Sequence, residues 1–125
     1  MIINNYYELE YDSIKNRVYY KMKGLWESVA VVPNFEQDWR NIVKKTRDGW
    51  TILGDLRTLQ PMPDDVTALN GSVQQYLMTK GLRKVAQVAK VAVAGSINAM
   101  ARKSGLKEVL WAFYDNPTAE IWLNK

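Results

Sequence analysis

Two short runs near the start of the chain alternate between apolar and polar residues with a strict period of two, and this alternation constrains the fold more than any other feature. In residues 6–12, Tyr7, Leu9 and Tyr11 share one side and Tyr6, Glu8, Glu10 and Asp12 the other. In residues 17–23, Val18, Tyr20 and Met22 stand against Arg17, Tyr19, Lys21 and Lys23. Successive side chains of a strand point to opposite faces, so period two predicts two strands, each with one buried and one wet face. With Ser13–Asn16 as the turn, Glu8 falls opposite Lys21 and Asp12 opposite Arg17. Such cross-strand pairs contribute roughly 0.2–1 kcal/mol each. Charge and pattern together predict one hairpin in one register.

After Gly24 the period changes. Phe35, Trp39, Ile42 and Val43 follow the spacing of one helical face. Asn34 with Gln37 reads as a capping box, Lys44, Lys45 and Arg47 suit the negative end of the helix dipole, and Asp48-Gly49 ends the helix. GWTILGDL, residues 49–56, is a short apolar run of the kind buried on both faces of a parallel sheet. Asp64 and Asp65 are placed to cap a helix over about residues 66–80, with Val66, Leu69, Val73, Tyr76 and Leu77 on its buried face and Gly81 after its end. Residues 82–103 admit two readings: one long alanine-rich helix, or a strand over about 83–89 and then a helix ending at Lys103-Ser104-Gly105. The second continues an alternation already under way. A strand over 108–114 and a closing helix carrying Trp122 and Leu123 complete the chain. The predicted order, β-β-α-β-α-β-α-β-α, makes a single α/β domain over residues 1–125. Its mixed sheet has about five strands, with the hairpin as an antiparallel edge.

Composition narrows the function. The chain has no cysteine and no histidine, which removes disulfides, thiolate nucleophiles, histidine-based triads and most zinc sites. It reads as a non-catalytic domain for which no cofactor or metal is expected. Residues 1–13 have neither the basic nor the apolar region of a signal peptide, and the weakly apolar run 85–95 is too short to cross a bilayer. A cytoplasmic protein without a transmembrane segment is the expectation. The net charge of +4 is unevenly placed: residues 66–107 hold Lys80, Arg83, Lys84, Lys90, Arg102, Lys103 and Lys107 and not one acid.

The element order, together with the closing Phe113-Tyr114-Asp115-Asn116-Pro117-Thr118-Ala119-Glu120-Ile121-Trp122-Leu123, resembles the SpoIIAA-like superfamily. That group contains STAS domains and related single-domain STAS/SEC14-type bacterial proteins. In the latter a last strand carrying Phe is followed by a short helix ending in Ala-x-x-Trp-Leu, which Ala119, Trp122 and Leu123 match. Gly49–Leu56 resembles the family's central strand ending in Asp-Leu. The resemblance implies a SpoIIAA-like sheet capped by the last helix, and a regulatory domain that docks a protein partner. The SEC14-type relatives imply the alternative, a small-molecule or lipid-binding module. In the anti-sigma-factor antagonists the segment after the central strand reads Asp-Ser-Ser-Gly-Leu and is switched by serine phosphorylation. Here Met62–Ala68 keeps Asp64 but carries no hydroxyl at either serine position, so the switch does not carry over.

Two candidate sites follow. Arg57, Thr58, Asp64 and Asp65 lie in the segment after the central strand, at the carboxyl end where open α/β sheets bind ligands, and form a candidate partner-binding loop. Lys80, Arg83, Lys84, Arg102, Lys103 and Lys107 fall at the amino ends of the later strands and form a candidate basic rim for an acidic protein surface or an anionic lipid. The plainer readings are a helix cap for the aspartates and a solvated face for the bases. No nucleic-acid partner is expected, because no RNP-like strand, GXXG loop or zinc spacing is present. Monomer and homodimer are both compatible with the pattern. A mainly apolar cavity of roughly 300 Å³ or more would favour the ligand-binding module, and a packed interior with an exposed apolar patch would favour protein docking.

Overall fold

The computed structural model describes all residues 1–125. A short strand, β1 (Ile2–Ile3), precedes the hairpin strands β2 (Tyr7–Asp12) and β3 (Arg17–Gly24). Then come α1 (Phe35–Val43), β4 (Trp50–Leu59), α2 (Asp64–Met78), β5 (Leu82–Val88), α3 (Val91–Lys103), β6 (Leu110–Phe113) and α4 (Asn116–Asn124). The sheet has six strands in the order β1-β2-β3-β4-β5-β6, one more than expected. β1, β2 and β3 pair antiparallel, and β3 to β6 pair parallel. Residues 82–103 are thus a strand and a helix.

The hairpin register is the predicted one: Glu8 stands opposite Lys21 and Asp12 opposite Arg17. The charges use it differently. Glu8 pairs with Lys23, one step along the same face, at 3.0 Å. The Asp12 carboxylate instead accepts from the Ile14 and Lys15 amides and closes the turn, where Asn16 takes a left-handed backbone conformation. The first helix is shorter than its pattern and ends at Val43. Its capping box does not form, because Gln37 bonds Asn41 four residues on and Asn34 makes no side-chain cap. α2 is unbroken through Asn70-Gly71, and the Asn70 side-chain amide donates to the Val66 carbonyl four residues back. Asp64 and Asp65 lie inside its first turn, where their charge suits the dipole, and the preceding Pro63 takes the cap position.

Every parallel connection advances one strand in the same direction, so right-handed crossovers place α1, α2 and α3 on one face. On that face Tyr7, Phe35, Trp26 and Trp39 pack with Val18, Ile52, Val66 and Leu77. Trp26, in the loop after the hairpin, is fully buried and donates to the Tyr6 and Lys23 carbonyls. Because the strand order never reverses, the sheet has no topological switch point, the feature that gives open α/β sheets their carboxyl-end crevice.

α4 alone covers the other face. Ala119 and Leu123 pack on Leu53, Ala86 and Val88, with Trp122 against Phe113. Around this small core lies a polar clamp. Arg17, almost wholly buried, donates to the Thr51 hydroxyl, the Asn124 side chain and the Glu120 carboxylate; Tyr19 and Lys15 also reach Glu120. At the helix start, Asp115 accepts from the Thr118 amide, a hydrogen bond that holds its carboxyl below the usual carboxylate range. The folded state therefore favours the ionised form. The stabilisation is complete above the unfolded-state pKa of about 4 and is lost as pH falls through the lower folded value. Amide protection in α4, expressed relative to the intrinsic exchange rate at each pH, should fall as pH drops below about 4 in the native protein and far less in Asp115→Asn, which caps without titrating.

Candidate functional site

The helical face is covered unevenly. Val18 on β3 and Ile52 on β4 are buried, whereas Val85 and Gln87 on β5 and Leu110 on β6 are only partly covered. α2 leans toward α1 and the turn at Val29–Val31, and α3 leans toward β6, so a groove remains over β5. It holds a cavity of about 160 Å³. Val85, Gln87 and Leu110 form the floor, Val73, Gln74, Leu77 and Met78 of α2 one wall, and Leu106 and Val109 the other. At the mouth, Met78 is 52% and Leu106 40% exposed.

Tyr20, Phe35, Trp39, Ile52 and Gly54 close the inner end. A glycine inside a central strand leaves nothing to pack and often marks a close approach. A Cβ on Gly54 would sit 3.8 Å from the Tyr20 ring and 3.9 Å from the Gln87 side chain. The space it leaves is therefore part of the groove rather than a steric necessity of the strand. Tyr20 and Trp39 meet edge to face, with ring centroids 5.0 Å apart. The Tyr20 hydroxyl and the Trp39 indole Nε1 are sealed from solvent and have no hydrogen-bond partner, a cost of roughly 1–3 kcal/mol for each orphaned group. Burial holds the Tyr20 hydroxyl well above the ordinary tyrosine pKa, with Tyr7 adding to the shift, so it stays neutral. No charged side chain lines the groove. It is shaped for an uncharged apolar group.

The predicted loop looks different. Arg57 and Thr58 belong to β4, which runs on to Leu59 because one extra residue taken up in β4 between Asp55 and Thr58, opposite Lys21–Lys23, keeps β3 paired beside it. Arg57 is held by the Asp55 carboxylate, with Nη2 2.8 Å and Nε 3.0 Å away. Burial alone would raise Asp55, but the Arg57 contacts outweigh it and hold the carboxyl below its usual range. Asp65 accepts from the Val29 amide and fastens that turn to α2. Thr58 and Asp64 are exposed. Arg57 and Asp65 are thus each held by a neighbouring group, and none of the four residues lines the apolar groove.

The basic residues do collect at the amino ends of β5 and β6, but not as one set. Arg83 and Lys84 donate to the Leu123 and Trp122 carbonyls at the end of α4, and Lys84 lies 4.5 Å above the Trp122 ring. Arg102 stacks on Trp111 at 4.9 Å. Lys103 and Lys107 are exposed, and Lys80 lies 5.3 Å from the Tyr76 ring centroid. Lys80 falls between the groove residues Met78 and Leu82, and Lys107 beside Leu106. Gly54, Leu106 and Val109 are groove residues that the sequence reading passed over. The interior glycine and two apolar residues in a turn were the available signals.

No three metal-ligating side chains come together, and no helix is long and apolar enough to cross a membrane. Comparison with protein-family models, curated proteins and solved structures finds no match.

Proposed function

We propose that this protein is a non-catalytic interaction domain, of the regulatory kind that the SpoIIAA-like resemblance implies, and that it docks a protein partner by taking an apolar side chain into the α2–β5 groove. Cavity size carries the reading. Self-contained small-molecule pockets start near 300 Å³, about twice the 160 Å³ found here. A cavity of about 150 Å³ suits a single benzene-sized group. One aromatic or aliphatic side chain is a group of that size, and the exposed Met78 and Leu106 at the mouth extend the apolar surface toward whatever carries it. Interfaces of this kind rest on a few anchors seated in pockets.

A second reading, a free small apolar ligand, is supported by the uncharged lining and by the room left at Gly54. Native mass spectrometry of protein purified from its source separates the two. The docking reading expects a complex with a second polypeptide, lost when Val85→Phe fills the groove floor. A groove-dependent adduct of small-molecule mass, with no polypeptide, would overturn docking in favour of the ligand module.

A further inference from the structure

Resting on that reading, we infer that the partner segment is acidic: a bulky apolar residue flanked by aspartates or glutamates, the apolar residue entering the groove and the acids meeting its basic rim. In this topology the helix C-termini lie at the amino ends of the parallel strands. Lys44, Lys45 and Arg47 follow α1, Lys80 follows α2, and Arg102 and Lys103 end α3. Bases suit that end of the helix dipole, so part of this pole serves the fold. Arg83 and Lys84 serve it too, at the α4 carbonyls.

What remains at this pole is Lys80, two residues after the groove residue Met78 and lying over the Tyr76 ring, with Lys103 at the end of α3 and Lys107 on the turn that carries the groove residue Leu106. All three are exposed, and none is paired with a carboxylate. The acids on the connecting turns are Asp48 and Glu108, outnumbered by the bases around them. An uncharged apolar groove whose lining residues Met78 and Leu106 are followed closely in the chain by lysines without carboxylate partners is complementary to an apolar anchor with acidic flanks. Exposed charges of this kind act mainly on encounter, with on-rate gains of about 10-fold or more that fall as salt rises.

The test uses three fluorescein-labelled synthetic peptides: one tryptophan with glutamate flanks, the same tryptophan with serine flanks, and the glutamate flanks with serine in place of tryptophan. Stopped-flow anisotropy on the whole protein should show the first associating about tenfold faster than the second. That advantage should vanish in the Lys80→Glu/Lys103→Glu/Lys107→Glu variant and at about 0.5 M salt. Equal rates for the first two peptides, or an advantage that survives charge reversal, would overturn the acidic-partner inference and leave groove docking standing. If the peptide without tryptophan bound as tightly as the first, groove docking itself would fail. Absence of binding by all three would defeat both.

Discussion

Glu120→Ala is expected to lower the unfolding free energy by about 3 kcal/mol, because it strands a buried guanidinium. Arg17 is 2% exposed and sits on the face that α4 covers. Its neutral partners, Thr51 and Asn124, keep their bonds, but the charge loses its only carboxylate. Breaking a buried pair from one side typically costs about 3–5 kcal/mol. Glu120 retains 23% side-chain exposure, which places the effect at the lower end. Tyr19 and Lys15 would lose the same partner. Replacing both members, Arg17→Met with Glu120→Leu, should recover most of the loss, since a buried pair exchanged for apolar residues of similar volume is often neutral. Urea unfolding of the three variants checks this. A loss under about 1 kcal/mol in Glu120→Ala would show that the Glu120 carboxylate contributes little to holding α4.

Val85→Phe is expected to weaken docking about 30-fold while leaving the fold intact. Val85 is half-buried on the groove floor, packed against the core on one side and facing the groove on the other, so the larger ring can extend into the groove space. Overpacking a filled core costs about 1–3 kcal/mol; in an open groove the change should stay under about 1 kcal/mol. An anchor residue is worth about 2 kcal/mol or more, so blocking its seat should weaken binding of the acidic tryptophan peptide by about 30-fold. Equilibrium anisotropy and urea unfolding of the same preparation separate lost binding from lost structure. Unchanged affinity in a folded Val85→Phe protein would place the anchor elsewhere.

These two expectations rest on features of different legibility. Clean alternation in residues 6–12 and 17–23 made the hairpin register readable, because a one-residue slip would turn Leu9 and Tyr20 to the wrong face. The terminal helix was readable from Trp122 and Leu123. The clamp beneath it was not: Arg17 appeared to belong to Asp12, its opposite number across the hairpin, and only the tertiary fold brings Glu120 to it from the far end of the chain. Local competition misled elsewhere. Asn41 drew Gln37 out of the capping box, and a bulge in β4 between Asp55 and Thr58 let the strand absorb Arg57 and Thr58, which had looked like loop. The groove was hidden for a different reason. It is a property of how α2 and α3 lean apart over β5, and period-3.6 patterning says which face of a helix is buried but not where its neighbour stops. The basic rim was visible as a charge run, yet its division between α4 capping and free lysines depends on where Trp122 and Leu123 end.

The central claim is that the groove over β5 is an open, apolar seat for one side chain. Methyl-resolved NMR of the protein titrated with indole, the bare group of a tryptophan anchor, tests it most directly. The account predicts saturable shifts concentrated on the methyls of Val73, Leu77, Val85, Leu106 and Leu110, lost in Val85→Phe. Shifts centred instead on exposed methyls away from the groove, such as Val91, Val93 and Ile121, or no saturable shift at all, would contradict it.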